Sequence, residues 1–169
     1  AGHPVLRFDL PGTGDSLGDW DSAGLLSAWV AAGRLAVDCL RRWSGAGPVS
    51  LLGLRLGGLV ATLVAQELQC AGQPASGLAL VAPVLNGRQH LRELRALSDG
   101  SSLLSVAGFS MSEELQQSIA AVAPVQFSRA PAGRVFLGMP VTAKSLSSLE
   151  AQWAIDVPVC SVPYPDLAG

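Results

Sequence analysis

Apolar runs of strand length alternate along the chain with stretches of helical periodicity. Strands are predicted at residues 5–10, 49–54, 76–85, 134–141 and 157–163. Helices are predicted from Asp21 or Ser22 to about residue 44, from 57 to a stop at Gly72, and over 145–154. The strand runs are continuously apolar and separated by helices, so the pattern predicts an α/β fold with a mostly parallel sheet and helices on both faces.

Residues 86–133 interrupt this alternation, because they contain two helical stretches with polar turns. The first stretch, RQHLRELR (88–95), is interpreted as the solvated face of a short helix. The second is expected to begin at a capping box formed by Ser110 and Glu113. The chain is therefore expected to form one incomplete domain over residues 1–169, with a helical, cap-like insertion at 86–133.

Composition narrows the classes of function. Of 169 residues, 49% are hydrophobic and 14% charged, so most of the chain must be buried. A net charge of −2 without a basic cluster argues against nucleic-acid binding, and the apolar runs are too short to span a bilayer. Three cysteines without CxxC spacing favour a reducing, cytoplasmic location. His3 and His90 lack zinc-ligand spacing, so we expect neither metal nor cofactor.

Two turns carry the candidate chemistry. GLRLGG (53–58) joins a predicted strand to a predicted helix, and DLPGTGDS (9–16) follows the first predicted strand. With GLALVAPV and the helical insertion, they resemble the middle of an α/β-hydrolase without the family's N- and C-terminal parts. GLRLGG more narrowly resembles the second type of hydrolase-like protein associated with the exosortase A system of bacterial exopolysaccharide producers. The resemblance implies hydrolysis of an ester, thioester or acyl-type small molecule linked to exopolysaccharide production.

The resemblance puts Arg55 where such enzymes carry their nucleophile. A nucleophile elbow is a sharp strand-to-helix turn that needs small neighbours, and Gly53, Gly57 and Gly58 meet that need. The N–H of Leu56 would supply one oxyanion donor. A guanidinium stays protonated and cannot attack a carbonyl, so the usual acyl-enzyme route is closed.

Arg55 has two interpretations. At a helix amino terminus it would strengthen a site for a small anionic or ester-like molecule, or it would pair with a carboxylate such as Asp9 or Asp15 and fasten two loops together. The resemblance assigns Asp9, Gly12, Gly14 and Ser16 to a turn at the floor of the active-site region. That loop, with Asp15, either contributes to a binding pocket or forms only a tight turn.

The remainder of a catalytic triad is not evident. No histidine follows His90, and Asp156 and Asp166 are candidate acids by order alone. Cys39 and Cys70 are expected to be buried small apolar residues, and Ser161 falls inside a predicted strand. Two functions therefore stay open: a hydrolase, or a catalytically inactive binding or scaffold protein with an anion site at Arg55.

Overall fold

The computed structural model describes residues 2–45, 47–84, 86–98, 104–106, 109–122, 130–140, 153 and 159–164. The chain divides into two compact units. Residues 1–44 and 86–123 form the helical unit, and residues 45–85 and 124–169 form the sheet unit. The described elements in chain order are α1 (Leu25–Ser44), β1 (Ser50–Leu54), α2 (Leu56–Cys70), β2 (Gly77–Val81), α3 (Gly87–Leu97), β3 (Leu104–Val106), β4 (Phe109–Met111), α4 (Glu113–Ala121), β5 (Val135–Pro140) and β6 (Val159–Tyr164).

The sheet unit is built on a parallel sheet in the order β1-β2-β5-β6. All three neighbouring pairs are parallel, with Leu54 opposite Val81 and Val81 opposite Gly138. Parallel neighbours need crossover connections, and α2 supplies the one between β1 and β2. The predicted α/β class with a parallel sheet is confirmed.

One face of this sheet forms the core of the unit. Apolar side chains of β2 and β5 are buried there together with Trp153 and Ala65 of α2, and the strand residues are Leu78, Leu80, Val135 and Leu137. The opposite face carries exposed apolar side chains, which are Leu52, Leu54, Phe136 and Val162. Successive strand residues point to opposite faces, so this division follows directly from the register.

The helical unit consists of α1, α3 and α4 with the antiparallel pair β3–β4. The buried side chains of α1 recur at spacings of three and four and are Leu25, Leu26, Trp29, Val30 and Val37. Helices α3 and α4 approach closely, because a Cβ on Gly87 would collide with the carbonyl oxygen of Ile119. The charged residues of α3 are exposed, as its sequence predicts, while His90 and Leu91 are buried.

Two predictions for the first 44 residues are wrong. Residues 5–10 form no strand in the described structure, and Val5 is 86% exposed; a strand needs a hydrogen-bonded neighbour, which an apolar run alone does not supply. Helix α1 begins at Leu25, because Asp19 and Ser22 form a turn in which the Ser22 N–H donates to the Asp19 carbonyl at 3.1 Å.

The predicted capping box at Ser110 is also wrong. Ser110 lies in β4 opposite Ser105, where its backbone belongs to the hairpin. Ser112 is the N-cap of α4 instead, and its hydroxyl accepts the N–H of Leu115 at 3.2 Å. A serine thus caps the helix two positions later, with Leu115 rather than a glutamate at the third helical position, because strand pairing fixes where the helix can begin.

Candidate functional site

Arg55 forms the turn between β1 and α2, at the carboxyl end of a parallel strand. It is the N-cap residue of α2 and has φ 49° and ψ −123°, a combination that residues with a Cβ rarely adopt. The elbow geometry expected of GLRLGG is therefore present. Ligands of open α/β sheets usually bind outside the carboxyl ends of the strands, which is where this turn lies.

Two of the three expected glycines make the turn possible. A Cβ on Gly53 would lie 2.5 Å from the Gly57 carbonyl oxygen and 2.6 Å from the Gly58 Cα, so strand and helix approach too closely for any side chain. A Cβ on Gly58 would lie 2.9 Å from the Cβ of Pro83. At Gly57 a Cβ would meet nothing within 4 Å, so the expectation that close packing requires this glycine is wrong.

The backbone of Arg55 is held from outside the motif. Its N–H donates to the Val81 carbonyl at 3.0 Å, which extends the β1–β2 ladder by one hydrogen bond. Its carbonyl accepts the N–H of Gly58 at 3.0 Å and the N–H of Val84 at 3.1 Å. The elbow conformation is therefore fixed by the end of β2 as well as by the local glycines.

The start of α2 presents donors beside an exposed cation. A helix leaves its first N–H groups without intrahelical acceptors, and among the described residues neither Leu56 nor Gly57 donates its N–H to another group. The Arg55 side chain is exposed and makes no capping hydrogen bond. Within the described part of the sheet unit no carboxylate pairs with its guanidinium. Such a turn can bind an anion, and it contains no nucleophile at its centre.

The second predicted group of site residues lies together in one loop of the helical unit. The Asp9 carboxylate accepts the Asp15 N–H at 3.1 Å, and the Ser16 hydroxyl donates to the Asp9 carbonyl at 2.7 Å. Gly12 has φ 72°, and its N–H donates to the Leu17 carbonyl at 3.0 Å. Hydrogen bonds within the loop thus explain why DLPGTGDS carries Asp, Gly and Ser, since these residues stabilise a tight turn. Its predicted pairing with Arg55, through Asp9 or Asp15, stays a prediction.

Only some of the candidate triad and metal residues lie in the described part of the chain. His3 is exposed, whereas His90 is buried in α3. Asp156 and Asp166 lie outside the described residues, and only the backbone of Ser161 is described, in β6. Among the residues that the structure describes, no group of three or more His, Cys, Asp and Glu side chains is placed to hold a metal ion.

The expectation that Cys39 and Cys70 are buried is not met. Cys39 is half-buried on α1 and Cys70 is exposed at the end of α2. Both lie on helices rather than at strand ends, as predicted. Cys160 is exposed in β6.

Ala82 is a site residue that the sequence did not reveal. It directly follows β2, has φ 44°, and donates its N–H to the Gly138 carbonyl at 2.7 Å. In the described part of the chain, Arg55 and Ala82 are the non-glycine residues with positive φ, and each directly follows one of two neighbouring strands. No sequence signal marks an alanine for this conformation, which glycine usually adopts.

No helix within the described residues is long and apolar enough to cross a membrane. None of the curated proteins compared with the sequence matches it significantly. The family model described as "Alpha/beta hydrolase family" matches residues 1–168.

Solved structures resemble the chain in fold. Est1E from Butyrivibrio proteoclasticus, with bound ferulic acid, has a TM-score of 0.69 at 15% identity over 92% of this chain, which spans 65% of the length of Est1E. The NocB thioesterase domain of the nocardicin cluster has a TM-score of 0.52 at 24% identity, with 88% of this chain and 69% of that domain covered. A structure reported for the metagenome-derived lipolytic enzymes LipS and LipT has a TM-score of 0.57 at 15% identity, with 90% and 69% covered.

Proposed function

The chain belongs to the alpha/beta hydrolase family, and on that premise we propose that it acts on an ester, thioester or acyl-type small molecule linked to exopolysaccharide production. The observation that carries the proposal is Arg55 in the elbow conformation with an exposed guanidinium. The neighbours in fold include an esterase with bound ferulic acid and a thioesterase domain, which supports acyl compounds as the substrate class. The exopolysaccharide link rests on the resemblance of GLRLGG.

In this proposal Arg55 binds the substrate instead of attacking it. Its planar cation pairs with a carboxylate or phosphate of the substrate, or with negative charge that develops on the reacting oxygen. The N–H groups of Leu56 and Gly57 donate to the same charge. For the loop containing Asp9, Gly12, Asp15 and Ser16, a part in ligand binding is proposed on the family resemblance alone, as is a cap-like insertion at residues 86–133. The cysteine pattern supports a cytoplasmic location.

A second function follows if no reaction takes place. The chain then acts as a catalytically inactive binding or scaffold protein that holds an anion at Arg55. The residue type favours this function, because a guanidinium cannot replace a hydroxyl or thiol nucleophile. Both functions require the same small anionic or ester-like ligand. A measurement of turnover distinguishes them, because only the hydrolase would convert the ligand to product.

Hydrolysis of a panel of activated esters and thioesters tests the first function, with wild type compared with Arg55→Ala. The matched control is Arg134→Ala, which removes an exposed arginine from the amino end of β5 in the same unit. Turnover that is lost in Arg55→Ala and kept in Arg134→Ala would support catalysis that depends on Arg55. Turnover that is equal in all three proteins would contradict a role for Arg55.

Thermal unfolding with added phosphate or acetate tests the second function at constant, low ionic strength. An anion that binds only the folded chain raises the melting temperature, and the rise grows with the logarithm of one plus the ratio of the anion concentration to Kd. We expect this stabilisation in wild type and Arg134→Ala and its loss in Arg55→Ala. Absence of both turnover and Arg55-dependent stabilisation would reject both functions.

A further inference from the structure

The turn after β2 shares its unusual backbone with the elbow. Ala82 has φ 44° and immediately precedes Pro83, although the residue before a proline ordinarily adopts an extended conformation. Arg55, which directly follows the neighbouring strand β1, has φ 49°. Two adjacent strands thus turn sharply in the same row of the sheet, and surrounding structure must hold both turns in place.

Hydrogen bonds connect the two turns directly. The Arg55 N–H donates to the Val81 carbonyl, and the Arg55 carbonyl accepts the N–H of Val84. Both backbone groups of Arg55 are therefore bound by residues 81–84. Ala82 in turn donates its N–H to the Gly138 carbonyl at 2.7 Å, which fixes this segment to β5. A displacement of residues 81–84 would consequently displace Arg55.

Packing couples the same segment to the start of α2. Pro83 is buried, and a Cβ at Gly58 would lie 2.9 Å from its Cβ and 3.2 Å from its Cα. Gly58 is the third residue of α2, so the proline ring sets how closely the first helical turn approaches the end of β2.

We propose that residues 81–84 are a positioning element for the elbow, which holds Arg55 and the first turn of α2 in the arrangement that anion binding requires. The functional meaning of this element rests on the proposed function. The geometric claim does not, because it concerns how contacts of Pro83 and Val84 control the backbone at positions 55 to 58. Neither Pro83 nor Val84 belongs to the GLRLGG motif.

A thiol at position 55 provides a probe that does not depend on enzymatic activity. A thiol at a helix amino terminus is a stronger acid than a free thiol, so it is alkylated faster near neutral pH. We would introduce Arg55→Cys together with Cys39→Ala and Cys160→Val and keep Cys70, the last residue of α2, as the internal reference. Iodoacetamide alkylation of each thiol is followed by mass spectrometry from pH 5 to pH 9. We expect the introduced thiol to react at least tenfold faster than Cys70 at pH 7.

The positioning claim is tested by changing the contact between Gly58 and Pro83 in this background. We expect Gly58→Ala to slow alkylation at pH 7 at least fivefold and to move the pH profile towards higher pH. Pro83→Gly should slow alkylation at least threefold. Adding Gly58→Ala to Pro83→Gly should slow alkylation less than Gly58→Ala does alone, because the nearer contacting atom, the Pro83 Cβ, is absent and only the Cα at position 83 remains. Ile119→Val, a core change in the helical unit, should leave the pH profile unchanged.

Each outcome bears on the proposal. An unchanged pH profile in folded Gly58→Ala would overturn it, and if Gly58→Ala does not fold, an unchanged profile in Pro83→Gly would do so. A shift of equal size in Ile119→Val would overturn it as well, because the effect would then be general destabilisation. If the thiol responds as expected while wild type neither hydrolyses esters nor binds anions, the positioning element stands and the proposed function fails.

Discussion

Replacing Arg55 by glycine should leave the chain more stable than replacing it by alanine. This order is the reverse of the usual one, in which glycine is less stable than alanine by about 0.5–1 kcal/mol because it loses more conformational freedom on folding. The reason lies in the backbone of Arg55, whose φ of 49° and ψ of −123° suit glycine. Both variants remove the same exposed side chain, so its lost interactions cancel in the comparison.

The size of the difference follows from two opposing terms. Holding a residue with a Cβ in a sparsely populated backbone region costs roughly 1–3 kcal/mol, and alanine retains that cost while glycine does not. After the entropic disadvantage of glycine, about 0.5–1 kcal/mol, is subtracted, the free energy of unfolding of Arg55→Gly should exceed that of Arg55→Ala by about 1 kcal/mol. In a chain of this length the melting temperatures should differ by about 2–4 °C.

Urea unfolding followed by far-UV circular dichroism would measure this difference. Tryptophan fluorescence, to which the buried Trp29 and Trp153 contribute, is a second probe. Equal slopes against urea would show that the unfolded states are comparable. Arg134 is the matched control, because its φ is not positive. Arg134→Ala should therefore be more stable than Arg134→Gly. If Arg55→Ala were as stable as Arg55→Gly, the inference of strain at the elbow would be wrong.

Two further stability differences follow from named contacts. Gly58→Ala should be less stable than Gly57→Ala by about 1–3 kcal/mol in urea unfolding, because only the alanine at 58 would meet neighbouring atoms within 4 Å; equal stabilities would contradict this packing. Glu114→Ala should destabilise the helical unit by about 0.5–1 kcal/mol more than Glu113→Ala, because both remove a charge from the first turn of α4 but only Glu114 accepts the N–H of Gly24 at 2.9 Å. Thermal unfolding would check the second pair, and equal melting temperatures would show that this contact adds no stability.

Local patterns predicted the elements around the elbow well. The apolar runs predicted β1, β2, β5 and β6 within a few residues, and helix α2 ends near Gly72 as expected. These predictions work because periodicity and glycine act within a few neighbouring residues. They were less accurate at residues 5–10, where a strand would need a hydrogen-bonded neighbour, and at the starts of α1 and α4, which follow the Asp19–Ser22 turn and the β3–β4 hairpin.

Residue patterns were enough to predict the α/β class, the parallel sheet and the position of Arg55 at a strand-to-helix turn, because apolar periodicity and the spacing of Gly53 and Gly58 are local properties. The contacts that hold this turn, in contrast, come from long-range packing. The conformation of Ala82, the contact of Pro83 with Gly58 and the hydrogen bonds of residues 81–84 to Arg55 arise when β1 and β2 pair in one particular register. Residues distant in sequence meet only through that register, so no local pattern could have shown them.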